Sequence, residues 1–247
     1  MKNLIIMPVC GNLGLVQKAI ASCLNQDIEG GVRLLIIDDF SQDGTREWLL
    51  SQSIPMGFAS YLFSRSHGVS HAWNCGLGLL FDDSLAFNVD VHVHALVVNS
   101  DVELPPDFYR RLVADGGGFV TGLDSNNKDE WRDDEKRRCP NFSAFLIRRE
   151  VWDRVGTFDE DMKIFCSDCD YHIRMEQAEV DAYCIGAKFK HYGSATIKLA
   201  DEQENKRISD QAALDRLAFE RKWGCLPGSP EYAAMFPRDH VVVEVAK

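Results

Sequence analysis

Carboxylates gather at three separated places in this chain, each at the end of an apolar run or the start of a helical pattern. Asp38 and Asp39 follow Arg33-Leu34-Leu35-Ile36-Ile37, and Asp101 and Glu103 follow Ala95-Leu96-Val97-Val98. Asp168 and Asp170 open a stretch with helical spacing at Tyr171, Ile173, Met175 and Ala178. An imidazole, His191, comes after the last apolar run. Brought to one sheet rim, oxygen ligands and an imidazole suit a hard-to-borderline divalent ion such as Mg²⁺ or Mn²⁺. A cation in such a site neutralises phosphate charge. Each group also has a plainer use, since strand-end aspartates form turns and cap helices.

Elements must hold these residues in place. Leu4-Ile5-Ile6-Met7, Arg33–Ile37 and Ala95–Val98 are apolar runs of the kind that forms strands buried on both faces. The first leads through a turn at Pro8–Asn12 into a helix striped by Leu15, Ala19, Ile20, Cys23 and Leu24, ended by Gly30-Gly31. Thr45 or Asp43 can cap the next helix, 46–51. Tyr61-Leu62-Phe63 is expected as a third strand, followed by a helix carrying Trp73, Leu77 and Leu80. Strand, helix, strand, helix is the order of a parallel sheet. Pro105 and Pro106 stop the central run, and Asp107 can cap a helix through Phe108, Arg111, Leu112 and Val113. Asp101 therefore stands on a rigid element at the carboxyl edge of the sheet, where open α/β sheets bind ligands.

The second half holds strands at Phe119–Gly122, Phe142–Ile147 and Ala182–Ile185, and helices at Arg149–Val155 and Asp168–Ala178. His92 and His94 alternate with valines and fit satisfied strand histidines. An amphipathic helix from Asp201 to Trp223 presents Ile208, Leu214, Leu217, Ala218 and Trp223, and Gly224 ends it. The polar stretch 124–140 exceeds ordinary connections and is expected to be a mobile functional loop.

Composition narrows the function classes. A formal charge of -11 over 247 residues repels polyanions, which counts against a general nucleic-acid or anionic-membrane binder. Arg132, Lys136, Arg137 and Arg138 form the densest basic stretch, interleaved with acids. No run nears the roughly 20 apolar residues of a membrane span, and the first residues are too short for a signal core, so the expected location is cytoplasmic. Eight scattered cysteines are expected as reduced core thiols; Cys166 and Cys169 have zinc-like spacing without a matching second pair. Neither a Gly-x4-Gly-Lys phosphate loop nor a Gly-x-Gly-x-x-Gly after the first strand is present.

In order along the chain, Ile5-Ile6-Met7-Pro8-Val9-Cys10, Leu35-Ile36-Ile37-Asp38-Asp39-Phe40-Ser41-Gln42-Asp43-Gly44-Thr45, and Gly68-Val69-Ser70-His71-Ala72-Trp73-Asn74-Cys75-Gly76-Leu77 resemble elements of the inverting nucleotide-sugar glycosyltransferases of family 2. Val98-Asn99-Ser100-Asp101 with Pro106-Asp107-Phe108 is similar to that family's Asp-x-Asp element. Phe145–Val151, Val155–Glu160, Asp168–Arg174, His191 and Phe219–Gly224 continue the likeness, which spans residues 4 to 224. It implies an α/β single domain of the GT-A, Rossmann-like fold, with a mostly parallel central sheet flanked by helices. Residues 1–199 would be the catalytic domain binding nucleotide sugar and acceptor, and 200–247 a C-terminal helix and tail packed on it.

Carried over by position, the resemblance implies that Asp39 hydrogen-bonds the nucleotide base in a pocket shaped by Pro8, and that Asn99, Ser100 and Asp101 contact the donor. Asp101 and His191 would hold Mn²⁺ or Mg²⁺, Asp168 would be the catalytic base, and Asp170 would cap or orient. The implied donor is a nucleoside diphosphate sugar, taken as a UDP-sugar. The acceptor is a hydroxyl on a saccharide, a protein, a lipid-linked group or a modified nucleobase. Three positions depart from the pattern: Asn99 replaces the first aspartate of the metal element, Trp73 an arginine, and Ser167 a glutamate. Two other readings use the same residues, an inactive sugar-nucleotide-binding protein and a nucleotidyltransferase.

Overall fold

The computed structural model describes residues 3–52, 58–81, 94–128, 131, 135–193 and 202–237. Its first half contains β1 (Asn3–Val9), α1 (Leu13–Leu24), β2 (Val32–Asp38), α2 (Thr45–Ser51), β3 (Phe58–Leu62), α3 (Val69–Phe81) and β4 (His94–Val98). Then come β5 (Val102–Glu103), α4 (Phe108–Asp115), β6 (Phe119–Asp124), β7 (Lys136–Arg137), β8 (Ala144–Arg148) and α5 (Arg149–Val155). The chain continues with α6 (Ser167–Gln177), β9 (Ala182–His191), α7 (Glu202–Trp223) and α8 (Pro230–Ala233).

The strands form one sheet in the order β3-β2-β1-β4-β8-β6-β9-β5, with β7 also on β9. β3, β2, β1 and β4 pair in parallel, as helical connections require, and β6 pairs in parallel with β9. β8 lies antiparallel between β4 and β6, so β6 and β9 share the direction of the first four strands. Alternation along β1 divides the core. Ile5, Met7 and Val9 face α1 and α4, while Ile6 faces α3. A Cβ at Gly76 would lie 2.5 Å from Ile6 Cγ2, so this glycine lets α3 pack directly on β1.

Several expectations change in detail. On α1 the buried residue is Val16 rather than Leu15, Leu24 is exposed, and the helix ends at Leu24, so Gly30-Gly31 serve the turn into β2. Asp43 Oδ2 accepts the Asn12 and Leu13 amides at the start of α1, at 2.5 and 3.2 Å. The N-cap of α2 is Gly44, and Asp107 occupies the N-cap of α4 without a side-chain cap bond. Leu214 and Leu217 of α7 are exposed, and its buried positions are Ile208, Asp215 and Phe219. Cys10 and Cys139 are exposed, whereas Cys23, Cys184 and Cys225 are buried.

The end of the 124–140 stretch is fastened rather than free. β7 pairs with β9, Lys136 bonds Asp115, and Arg138 bonds Asp181 with Glu176 at 3.6 Å. Most of the basic stretch is thus spent on ion pairs. Arg132 and residues 129–130 and 133–134 lie outside the described residues, as do 82–93 with His92, and Val241–Val243. No helix among the described residues is long and apolar enough to cross a membrane.

Candidate active site

Five strands that run in one direction finish at one rim, with Val9, Asp38, Val98, Asp124 and His191 as the last residues of β1, β2, β4, β6 and β9. Chain reversal at those ends frees side chains from the ladder. Asp38 is turned inward, where its carboxylate accepts from Arg46 Nε at 2.6 Å and the Ser41 amide at 3.1 Å. Asp39 is also buried, and accepts from Ser66 Oγ (2.8 Å), the His67 amide (2.6 Å) and the Gly68 amide (2.9 Å). It therefore builds the loop that enters α3. Three acceptances leave about one lone-pair position of the carboxylate's four. Pro8 is buried in β1 opposite Ile37. Beside Asp39, the His67 and His71 rings stack at 4.5 Å, and His71 Nδ1 lies 2.8 Å from Glu160 Oε2.

A second corner joins residues far apart in sequence. β5 pairs with the end of β9, setting Val102 opposite His191, and the Tyr192 amide donates to the Asp101 carbonyl at 2.9 Å. Asp101 Oδ2 consequently lies 3.3 Å from His191 Nε2, and Asp124 Oδ2 lies 3.3 Å from His191 Nδ1. The hydrogen bond that His191 donates to Asp101, with the charges of Asp101 and Asp124, raises the pKa of His191 against the opposing effect of burial. Asn126 fixes this corner, donating from its amide N–H and Nδ2 to Asp124 Oδ1 and from Nδ2 to the His191 carbonyl. The Asn99 amide donates to the Ser143 carbonyl at 2.9 Å, while Asn99 Oδ1 is buried without a hydrogen-bond partner among the described residues. Ser100 sits in the turn between Asn99 and Asp101.

This corner fits a divalent cation. Metal–ligand bonds of about 2.1 Å in an octahedron place neighbouring ligands about 3.0 Å apart, close to the Asp101–His191 separation. Asp124 on the opposite ring nitrogen is the usual orienting partner of a metal-bound imidazole. Among the described residues no three His, Cys, Asp or Glu side chains converge to enclose a cation on their own.

Asp168 lies in the first turn of α6, half-buried, its Oδ1 accepting the Cys169 amide at 2.8 Å. The segment just before it touches the Asp39 loop: Ser70 Oγ donates to the Met162 carbonyl at 2.5 Å, and a Cβ on Gly68 would lie 2.5 Å from the Lys163 carbonyl oxygen. Asp39 and Asp168 thus flank one contact between two loops. Asp170 points elsewhere, accepting from Arg174 Nε, Trp223 Nε1 and Lys222 Nζ at 2.7–3.0 Å. Burial, reinforced by Asp168, pushes the Cys166 and Cys169 thiols up to about 11 and about 12. Trp73 is buried against Phe145 and Phe158, a core position, and Ser167 is buried as well.

Two carboxylates went unread in the sequence. Asp124 ends β6 as Asp38 ends β2, a signal hidden by closing that strand at Gly122. Asp215 stands on the apolar face of α7, seven residues after Ile208 and four before Phe219, and an acid at that spacing is itself a signal.

Known structures with the same fold include GalNAc-T7 with UDP, GalNAc and Mn²⁺, at TM-score 0.62 and 12% identity, covering 77% of this chain and 44% of that one. The mannosyltransferase PcManGT from Pyrobaculum calidifontis in complex with GDP-Man and Mn²⁺ gives 0.59 and 14%, covering 96% and 70%. S. aureus TarS 1-349 in complex with UDP gives 0.58 and 14%, covering 91% and 72%. The chain thus spans less than half the length of the GalNAc-T7 structure. No curated protein matches the sequence. The model of glycosyl transferase family 2 matches residues 4–170, about two thirds of the chain, which therefore belongs to that family.

Proposed function

We propose that the protein transfers a sugar from a nucleoside diphosphate donor, a UDP-sugar, to an acceptor hydroxyl with inversion at the anomeric carbon. The observation that carries this is the meeting of Asp101, in the turn after β4, with His191, the last residue of β9, at the rim that also holds Asp39. The donor's diphosphate lies at Asn99, Ser100 and Asp101. Asp39 takes a base N–H on its remaining lone pair, and Pro8 walls that pocket. The UDP, GDP-Man and Mn²⁺ named in the three related structures support a nucleotide-sugar donor and a divalent cation.

Asp101 and His191 would hold Mn²⁺ or Mg²⁺, which would supply electrostatic stabilisation of the departing diphosphate. Asp168 receives the acceptor's proton as its oxygen bonds the anomeric carbon. The bond from that carbon to the diphosphate oxygen breaks, and the nucleoside diphosphate leaves on the opposite face with the electron pair. The described part of the C-terminal segment packs on this catalytic domain, with Phe219, Cys225 and Phe236 against Met162 and Ile173.

Asp168→Asn tests the assignment. Turnover should fall about 10²–10⁴-fold, the range of general-base catalysis, with nucleoside diphosphate affinity unchanged by calorimetry. Undiminished turnover would remove Asp168 from the reaction.

A further inference from the structure

Four aspartates are buried among the described residues: Asp38, Asp39, Asp170 and Asp215. Arg46 neutralises Asp38, Arg174 and Lys222 neutralise Asp170, and Asp39 builds the 66–68 loop. Asp215, on α7, is matched by N–H groups instead. Its Oδ1 accepts from the Lys163 amide (3.1 Å) and Gln211 Nε2 (2.7 Å), and its Oδ2 from the amides of Ile164 (2.9 Å) and Phe165 (2.8 Å). Three successive backbone amides aimed at one fully buried carboxylate define the path of that segment, because a charge so far from water needs those donors.

The next residue, Cys166, takes the left-handed conformation at φ 64 and starts α6, and Asp168 follows two residues later. On its other side the same segment touches the loop bonded to Asp39, through Ser70 and Gly68. Residues 162–165 are therefore clasped between the Asp39 loop in front and Asp215 behind.

We infer that Asp215 is the positioning residue for Asp168: from α7 it sets the depth at which the base meets the acceptor, relative to the donor held at Asp39. The inference rests on the proposed role of Asp168 as base. It acts through geometry, since a displacement of about 1 Å in a reacting group costs on the order of 10²-fold in rate.

The test compares Asp215→Asn with Phe219→Leu, which loosens the same helix in its apolar contacts without touching the carboxylate. Both are assayed well below their own melting temperatures, with donor KM, kcat and amide exchange at 163–165. Asp215→Asn should lower kcat about 30–100-fold, leave donor KM within about twofold and speed exchange at the three amides, while Phe219→Leu keeps kcat. Gln211→Met, the milder variant should Asp215→Asn fail to fold, should lower kcat about threefold to tenfold with KM unchanged. Wild-type kcat in Asp215→Asn or in Gln211→Met, or an equal loss in Phe219→Leu, overturns the inference while leaving an inactive Asp168→Asn and the proposed reaction intact. Undiminished turnover in Asp168→Asn removes the base, and this inference with it.

Discussion

An imidazole bound to a metal through Nε2 needs its Nδ1 proton held, and a carboxylate on that side fixes both tautomer and ring direction. Asp124 has this place beside His191. Asp124→Asn should weaken Mn²⁺ binding about 10–100-fold, measured from the paramagnetic resonance signal of free ion; unchanged affinity would mean that Asp101 and His191 need no such support. Asp39 and Asp101 stood out in the sequence because each comes just after an apolar run, and Asp168 because it opens a stretch with helical spacing. His191 stood out as an imidazole beyond a strand expected to end at Ile185, whereas β9 runs on to include it. Asp124 and Asp215 did not stand out, because their meaning lies in contacts with residues 67 and about 50 positions away. The three hydrogen bonds that occupy Asp39 were equally invisible, since they come from a loop some 28 residues on.

At the scale of elements, α6 and α7 are joined by buried polar contacts as much as by apolar ones. Asp170→Ala would leave Lys222 with Asp159 alone, Arg174 with the Val155 carbonyl, and the Trp223 indole N–H unbonded, at a cost of about 3 kcal/mol measured as a fall in denaturant midpoint. His172 of α6 stacks on Phe236 at 4.2 Å, and burial depresses its pKa to about 4. It stays neutral in the fold but takes a proton near pH 6.5 when unfolded, so its contribution is whole above that pH and lost as pH falls toward 4. The loss approaches 3 kcal/mol, and His172→Gln should flatten the acid limb of stability over that window. Helix positions were readable from periodicity, but the caps of α1, α2 and α4 and the inward stripe of α7 were not. Leu214 and Leu217 have the composition of a core face, and the hydrogen bonds of Asp215 turn the helix the other way.

For the molecule as a whole, the alternation of apolar strand and helix made the parallel half of the sheet legible, down to the acids at its rim. The insertion of β8 between β4 and β6, and the two-residue strands β5 and β7, were not, because strand partners are chosen by packing across the finished sheet. Gly76→Ala should cost about 1–3 kcal/mol by forcing α3 away from Ile6 of β1, read from the denaturant midpoint, and a neutral effect would show that the two layers yield there. Closure of β4 and β9 at one rim is what turns scattered carboxylates into a site. Its direct test is phosphorus resonance spectroscopy of the products formed from UDP- and GDP-sugars with Mn²⁺. Release of a nucleoside diphosphate by the native protein, lost in Asp168→Asn, is the predicted result; release of pyrophosphate would contradict sugar transfer.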